Sequence, residues 1–107
     1  MADDSKQPVR PLPGEDAEIT PRELCRTCNL ETEVLIEWVS EGVVTPHGER
    51  VEEWHFGTRQ FRRARTAYRL QRDLGVDTVS LPLVLDLLDE VKSLRRQLRI
   101  LERQLLE

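Results

Sequence analysis

The C-terminal third of this chain repeats one spacing for three heptads. Val84, Leu87, Val91, Leu94, Leu98, Leu101 and Leu105 follow one another at intervals of 3, 4, 3, 4, 3 and 4 residues. Valine or leucine therefore holds every a position and leucine every d position of one helix. Alone, that helix would expose a leucine stripe to water, so the rest of the chain or a second copy must cover it. The rest is short. With 107 residues and 12.5 kDa, one small domain plus the helix fits and a two-domain enzyme does not. A homodimeric coiled coil over residues 84–105 is the expectation. Its direction stays open, because Glu90 can meet Arg95 of a parallel partner while Arg95 and Glu102 can meet in an antiparallel one.

Residues 1–17, MADDSKQPVRPLPGEDA, hold three prolines and few aliphatic side chains. They bury too little to offset their ordering entropy and read as a disordered tail. Order is expected from about Glu18. There ITPRELC supplies Thr20 as N-cap, Pro21 at the first helical position and Glu23 three residues on, which is a capping box. Asn29 suits the left-handed turn that follows. A second helix then puts Leu30, Val34, Leu35, Trp38 and Val39 on one face, and Gly42 ends it. Two short helices joined by a tight turn make a helix-turn-helix. Beyond it, Pro46, His47 and Gly48 mark a turn, and the run Val51, Glu52, Glu53, Trp54 reads as a short hairpin, or wing.

From Thr58 the chain becomes arginine-rich. Phe61, Ala64, Tyr68, Leu70 and Leu74 recur at helical spacing up to Gly75 and read as the inward side of a third helix. Asp77 or Ser80 caps the last helix, whose start near Ser80 keeps Pro82 within the first turn. The chain accordingly divides into a tail, a headpiece over residues 18–75 and a dimerisation helix over residues 76–107.

Charge is unevenly spread. The whole chain carries −4, but residues 18–57 carry −6 and residues 58–75 carry +5. The second helix of a DNA-reading helix-turn-helix donates to bases and phosphates from arginine, lysine, asparagine or glutamine. Here that helix has no lysine or arginine, and its outer face is Glu33, Ile36, Glu37, Ser40 and Glu41, with Glu31 at its start. Duplex DNA carries about one negative charge per 1.7 Å, so specific binding through this face is disfavoured. An apolar residue within a polar rim instead suits a basic partner helix. Glu33, Ile36, Glu37 and Glu41 are the candidate contact residues, joined by Glu52 and Glu53 of the wing. The arginines of the third helix serve as counter-charge for the acidic headpiece, or alternatively as the contacts of a DNA-binding regulator.

No other chemistry stands out. Cys25 and Cys28 form a CxxC, but a structural zinc needs four ligands and only His47 and His55 remain, at no usual spacing. The cysteines read as small core residues, and a zinc or thiol switch is the lesser reading. Neither histidine has a partner arrangement for acid–base catalysis, and no glycine-rich phosphate loop is present. A non-enzymatic protein without a cofactor is expected. No run of about 18 apolar residues and no signal-peptide pattern occur, so no membrane association and a cytoplasmic location are expected.

The order of these parts has a counterpart. ITPRELC, the acidic helix ending EGVVTP, the wing closing on WHF, the stretch RLQRDLGVD and the run LVLDLLDEV resemble the CbpM chaperone modulator family, whose headpiece is a MerR-like winged helix-turn-helix. The resemblance implies a mostly α protein: that headpiece, then a C-terminal helix in a dimeric coiled coil. It also implies a partner, the J-domain of a CbpA-type DnaJ-like co-chaperone, whose stimulation of DnaK the protein inhibits. Asn29 stands where such headpieces usually have glycine, and Cys28 where threonine is more usual.

Overall fold

In the computed structural model, the described residues are 17–106. The disordered tail expected over residues 1–17 lies almost wholly outside them. Four helices carry the fold: α1 (Pro21–Cys28), α2 (Thr32–Glu41), α3 (Thr58–Leu74) and α4 (Leu81–Leu106). A two-stranded antiparallel sheet joins β1 (Glu18–Ile19) to β2 (Phe56–Gly57), with Ile19 opposite Phe56.

The capping box forms as its spacing requires. Thr20 Oγ1 accepts from the Glu23 N–H at 3.1 Å, and the Thr20 N–H donates to Glu23 Oε1 at 3.0 Å. Asn29 ends α1 in the left-handed region at φ 59°, and its side-chain amide donates to the Tyr68 hydroxyl at 3.2 Å. The turn of the helix-turn-helix is thereby tied to α3. On α2, Leu35 and Trp38 are buried, with Val34 and Val39 half-buried beside them. After Gly42 the chain turns inward, so that Val43 and Val44 complete the core with Leu24, Phe56, Phe61, Ala64 and Ala67. The small alanines let α3 approach α1 and the sheet closely, which makes α3 the hub of the headpiece.

The wing departs from the expected hairpin. His47 and His55 form one antiparallel bridge, closed by hydrogen bonds of 2.8 and 3.1 Å, and Val51–Glu53 between them is a turn of 3₁₀ helix. The strand after the wing pairs with the residues before α1, not with the wing itself. Gly48 is obligatory in this loop: its φ is +102°, and an added Cβ would sit 2.6 Å from the Glu53 carbonyl oxygen. Trp54 closes the loop edge-to-face on Phe56, with ring centroids 6.3 Å apart.

One further expectation fails at the α3–α4 corner. Leu74 is not core but 73% exposed, because the inward side of α3 runs through Ala67 to half-buried Tyr68 and Leu70 and stops short of it. Among the described residues no ion pair joins an arginine of α3 to an acid of α2 or the wing. Arg63, whose side chain is only 15% exposed, pairs with Asp86 at 3.1 Å and Asp89 at 3.6 Å on α4, and its Nε donates to the Val43 carbonyl. Arg72 pairs with its own neighbour Asp73 at 2.7 Å.

Gly75 stops α3 at φ 68°, and Asp77 Oδ1 accepts from the Ser80 N–H at 2.8 Å just before α4 begins. Leu81 and Leu85, not the heptad residues, dock α4 on the headpiece, with Leu88 half-buried below them. Val84 is half-buried, while Leu87, Val91, Leu94, Leu98, Leu101 and Leu105 stay exposed. At about 1.5 Å per residue this helix runs about 39 Å, which accounts for most of the 51 Å long axis. Among the described residues no helix is long and apolar enough to cross a membrane.

Candidate protein-docking surfaces

Burial of Leu35 and Trp38 fixes the rotation of α2, and the opposite face follows from the 3.6-residue period. Glu33, Glu37 and Glu41 are exposed in one row, four residues apart and about 12 Å from first to last. Ile36, 41% exposed, sits beside the row one turn in. Among the described residues none of these glutamates, nor Glu31, makes an ion pair.

Helix stability explains only the start of the row, since Glu33 in the first turn suits the helix dipole. Like charges four residues apart cost about 0.2–0.5 kcal/mol per pair. Glu41 lies in the last turn, where no basic residue offsets it and the helix dipole disfavours an anion. An acidic face whose C-terminal end works against its own helix fits a role outside it.

Glu52 and Glu53 are exposed on the 3₁₀ turn of the wing, and Glu53 lies 3.9 Å from Arg50. Among the described residues no hydrogen bond or ion pair joins them to the α2 row, so they form a second acidic point. The wing is braced elsewhere. His47 Nδ1 lies 3.2 Å from Glu18 Oε1, and the Thr45 N–H donates to Gln60 Oε1 at 2.9 Å.

The CxxC faces the core. Cys28 is buried, and desolvation pushes its thiol up to about 11 against the opposing pull of Arg65. Burial also raises Cys25, countered by its hydrogen bond with Thr32. Thiols held protonated are poor nucleophiles and poor metal ligands. Among the described residues no group of three or more histidine, cysteine or acidic side chains is placed to hold a metal ion.

The exposed heptad residues make a second candidate surface. Leu87 is 56% exposed while Leu85, two residues earlier, is 3% exposed. The headpiece thus leaves the stripe uncovered. A third surface, missed by sequence reasoning, is a cleft between α3 and α4. Its one local signal is Asp86 and Asp89, two acids three residues apart that meet Arg63.

The comparisons with known proteins agree with this architecture. Residues 19–103 match the family model described as MerR HTH family regulatory protein. The protein named chaperone modulatory protein CbpM from Coxiella burnetii (strain Dugway 5J108-111) is 35% identical over 81 residues, covering 76% of each chain. Its namesake from Pseudomonas putida (strain W619) is 33% identical over 84 residues, 78% of this chain and 83% of that one. The one from Pseudomonas entomophila (strain L48) is likewise 33% identical over 84 residues. Fold, order of elements and these relatives together show that the chain belongs to the CbpM family, on a MerR-like helix-turn-helix scaffold.

Proposed function

We propose that this chain is a non-enzymatic chaperone modulator that binds the J-domain of a CbpA-type DnaJ-like co-chaperone in the cytoplasm and keeps it from stimulating DnaK. The observation that carries this reading is the uncompensated row Glu33, Glu37 and Glu41 around exposed Ile36, on the helix that would otherwise read phosphates. A J-domain offers DnaK a basic helix, and an acidic face with one apolar anchor competes for it by charge and by burial. Glu52 and Glu53 extend the acidic field at the wing. Binding occupies the surface that DnaK needs, so no covalent step is required of the modulator.

Residues 18–75 act as the docking unit and residues 76–107 as the dimerisation unit. Val84, Leu87, Val91, Leu94, Leu98, Leu101 and Leu105 meet their counterparts in a second copy, which removes the exposed stripe from water. DNA binding is the alternative that the MerR-like scaffold raises. It is the weaker reading, because the presumptive reading helix is acidic and Arg63 is already engaged by Asp86 and Asp89.

The test is a calorimetric titration of the full chain with the J-domain of a CbpA-type co-chaperone. Glu37→Lys, at an exposed site, is expected to weaken binding by about tenfold or more, equivalent to about 1.4 kcal/mol, with an unchanged circular dichroism spectrum. Unchanged affinity removes this face from the account.

A further inference from the structure

α4 carries a second regular row besides the leucine stripe. Leu81, Leu85, Leu88, Lys92, Arg96, Arg99 and Arg103 follow at intervals of 4, 3, 4, 4, 3 and 4 residues, so they share one helical face. Where this face meets the headpiece it is apolar: Leu81 and Leu85 are buried and Leu88 half-buried. Where α4 leaves the headpiece it becomes cationic. The face points away from the heptad stripe, so a coiled-coil partner would not cover it.

The transition coincides with an open cleft of about 1050 Å³ between α3 and α4. Arg59, Arg62 and Arg63 line one wall, Lys92 and Arg96 the other, and Leu85 and Leu88 lie between them. Asp86 and Asp89 are taken by Arg63. Among the described residues Arg59, Arg62, Lys92 and Arg96 make no ion pair, and all four are exposed. Set against Asp86, Asp89 and Glu90, the five cations of the lining leave a net charge of +2, and an anionic occupant would answer that excess.

We infer that this cleft is a docking site for an acidic segment of another polypeptide, carrying carboxylates at helical spacing and an apolar residue at its headpiece end. Carboxylates would answer Arg59, Arg62, Lys92 and Arg96, and the apolar residue would cover Leu88. The wall itself favours a polypeptide over a nucleic acid. Half-buried Leu88 lies between the cations, where an apolar side chain gains by covering it and a phosphate backbone does not. The site lies on different helices from the acidic row of α2 and is independent of the J-domain reading.

The probe is a fluorescein-labelled helical peptide with glutamates along one face and a leucine one turn before them, followed by fluorescence anisotropy with the full chain. Wild type is expected to bind it, more weakly as salt rises, and the double variant Arg62→Glu/Arg96→Glu to lose about tenfold or more in affinity. Both positions are exposed, so folding is expected to survive, as checked by circular dichroism. Glu37→Lys should leave peptide binding intact, which separates this site from the α2 face. The charge-matched variant Arg22→Glu/Arg26→Glu on α1 should also retain it, and equal loss there reduces the effect to net charge and overturns the proposal. Two other results overturn it: a short DNA duplex that displaces the peptide and binds more tightly, or wild-type self-association that the double variant abolishes. The first would make the cleft a phosphate site, and the second would fill it with the acidic helix of another copy.

Discussion

Single side chains set the boundaries of this fold, and most of them are readable because their chemistry is local. Thr20 with Glu23, the backbone of Asn29 in the left-handed region, Gly42 and Gly75 all close their helix ends within five residues of their own position. Thr20→Ala should lower stability by about 1 kcal/mol, measured by urea denaturation, through loss of the capping box. Asp77 offers a pH test. Its hydrogen bonds with Ser80 hold its carboxyl below the ordinary value of 3.8, so its contribution is present at neutral pH and fades as the carboxyl protonates in acid. The fall in urea midpoint between pH 6 and pH 3 should therefore be smaller in Asp77→Asn, whose amide oxygen still accepts the bond. Arg63 was not legible in this way. Its role depends on Val43, 20 residues earlier, and on Asp86, 23 residues later, which no local spacing reveals. Cys28, buried and held as a thiol, should react with iodoacetamide far more slowly than half-buried Cys25, and mass spectrometry of each peptide would check this.

At the scale of elements, α4 shows what a periodicity can and cannot reveal. Its heptad is long enough to be unmistakable, whereas the docking face of Leu81 and Leu85 spans barely a turn and hides inside the same run of leucines. Two leucines nine residues apart on this helix should therefore behave oppositely. Leu85→Ala should cost about 2–5 kcal/mol by leaving a cavity beneath α3, seen in thermal unfolding. Leu94→Glu, on the exposed stripe, should leave the headpiece folded but abolish the proposed dimer, with wild type sedimenting as two copies and the variant as one at equilibrium. The wing was misread for a related reason. Val51, Glu52, Glu53 and Trp54 alternate like a strand, but β2 takes its partner from Glu18–Ile19, nearly 40 residues upstream, and the intervening loop closes as a 3₁₀ turn. The acidic face of α2 was legible because burying Leu35 and Trp38 leaves Glu33, Glu37 and Glu41 no other direction. Glu41→Lys should stabilise that helix by about 0.3–1 kcal/mol, because a cation suits the C-terminal end of the dipole, while weakening the proposed J-domain capture. Gain in stability with loss of binding would mark the glutamate as kept for its partner.

For the whole molecule, charge is separated by element. The acidic row lies on the outer side of α2, and the unpaired cations lie in the cleft between α3 and α4. On the proposed function, a scaffold of the type that grips phosphates serves polypeptides, and association should be fast at low ionic strength and weaken as salt screens it. The most direct measurement is the steady-state ATPase of DnaK stimulated by a CbpA-type co-chaperone, with this chain added at increasing concentration. The predicted result is a fall to the unstimulated rate, with Glu37→Lys needing about tenfold more protein for the same effect. A stimulated rate that stays unchanged at saturating protein would contradict the proposed function outright.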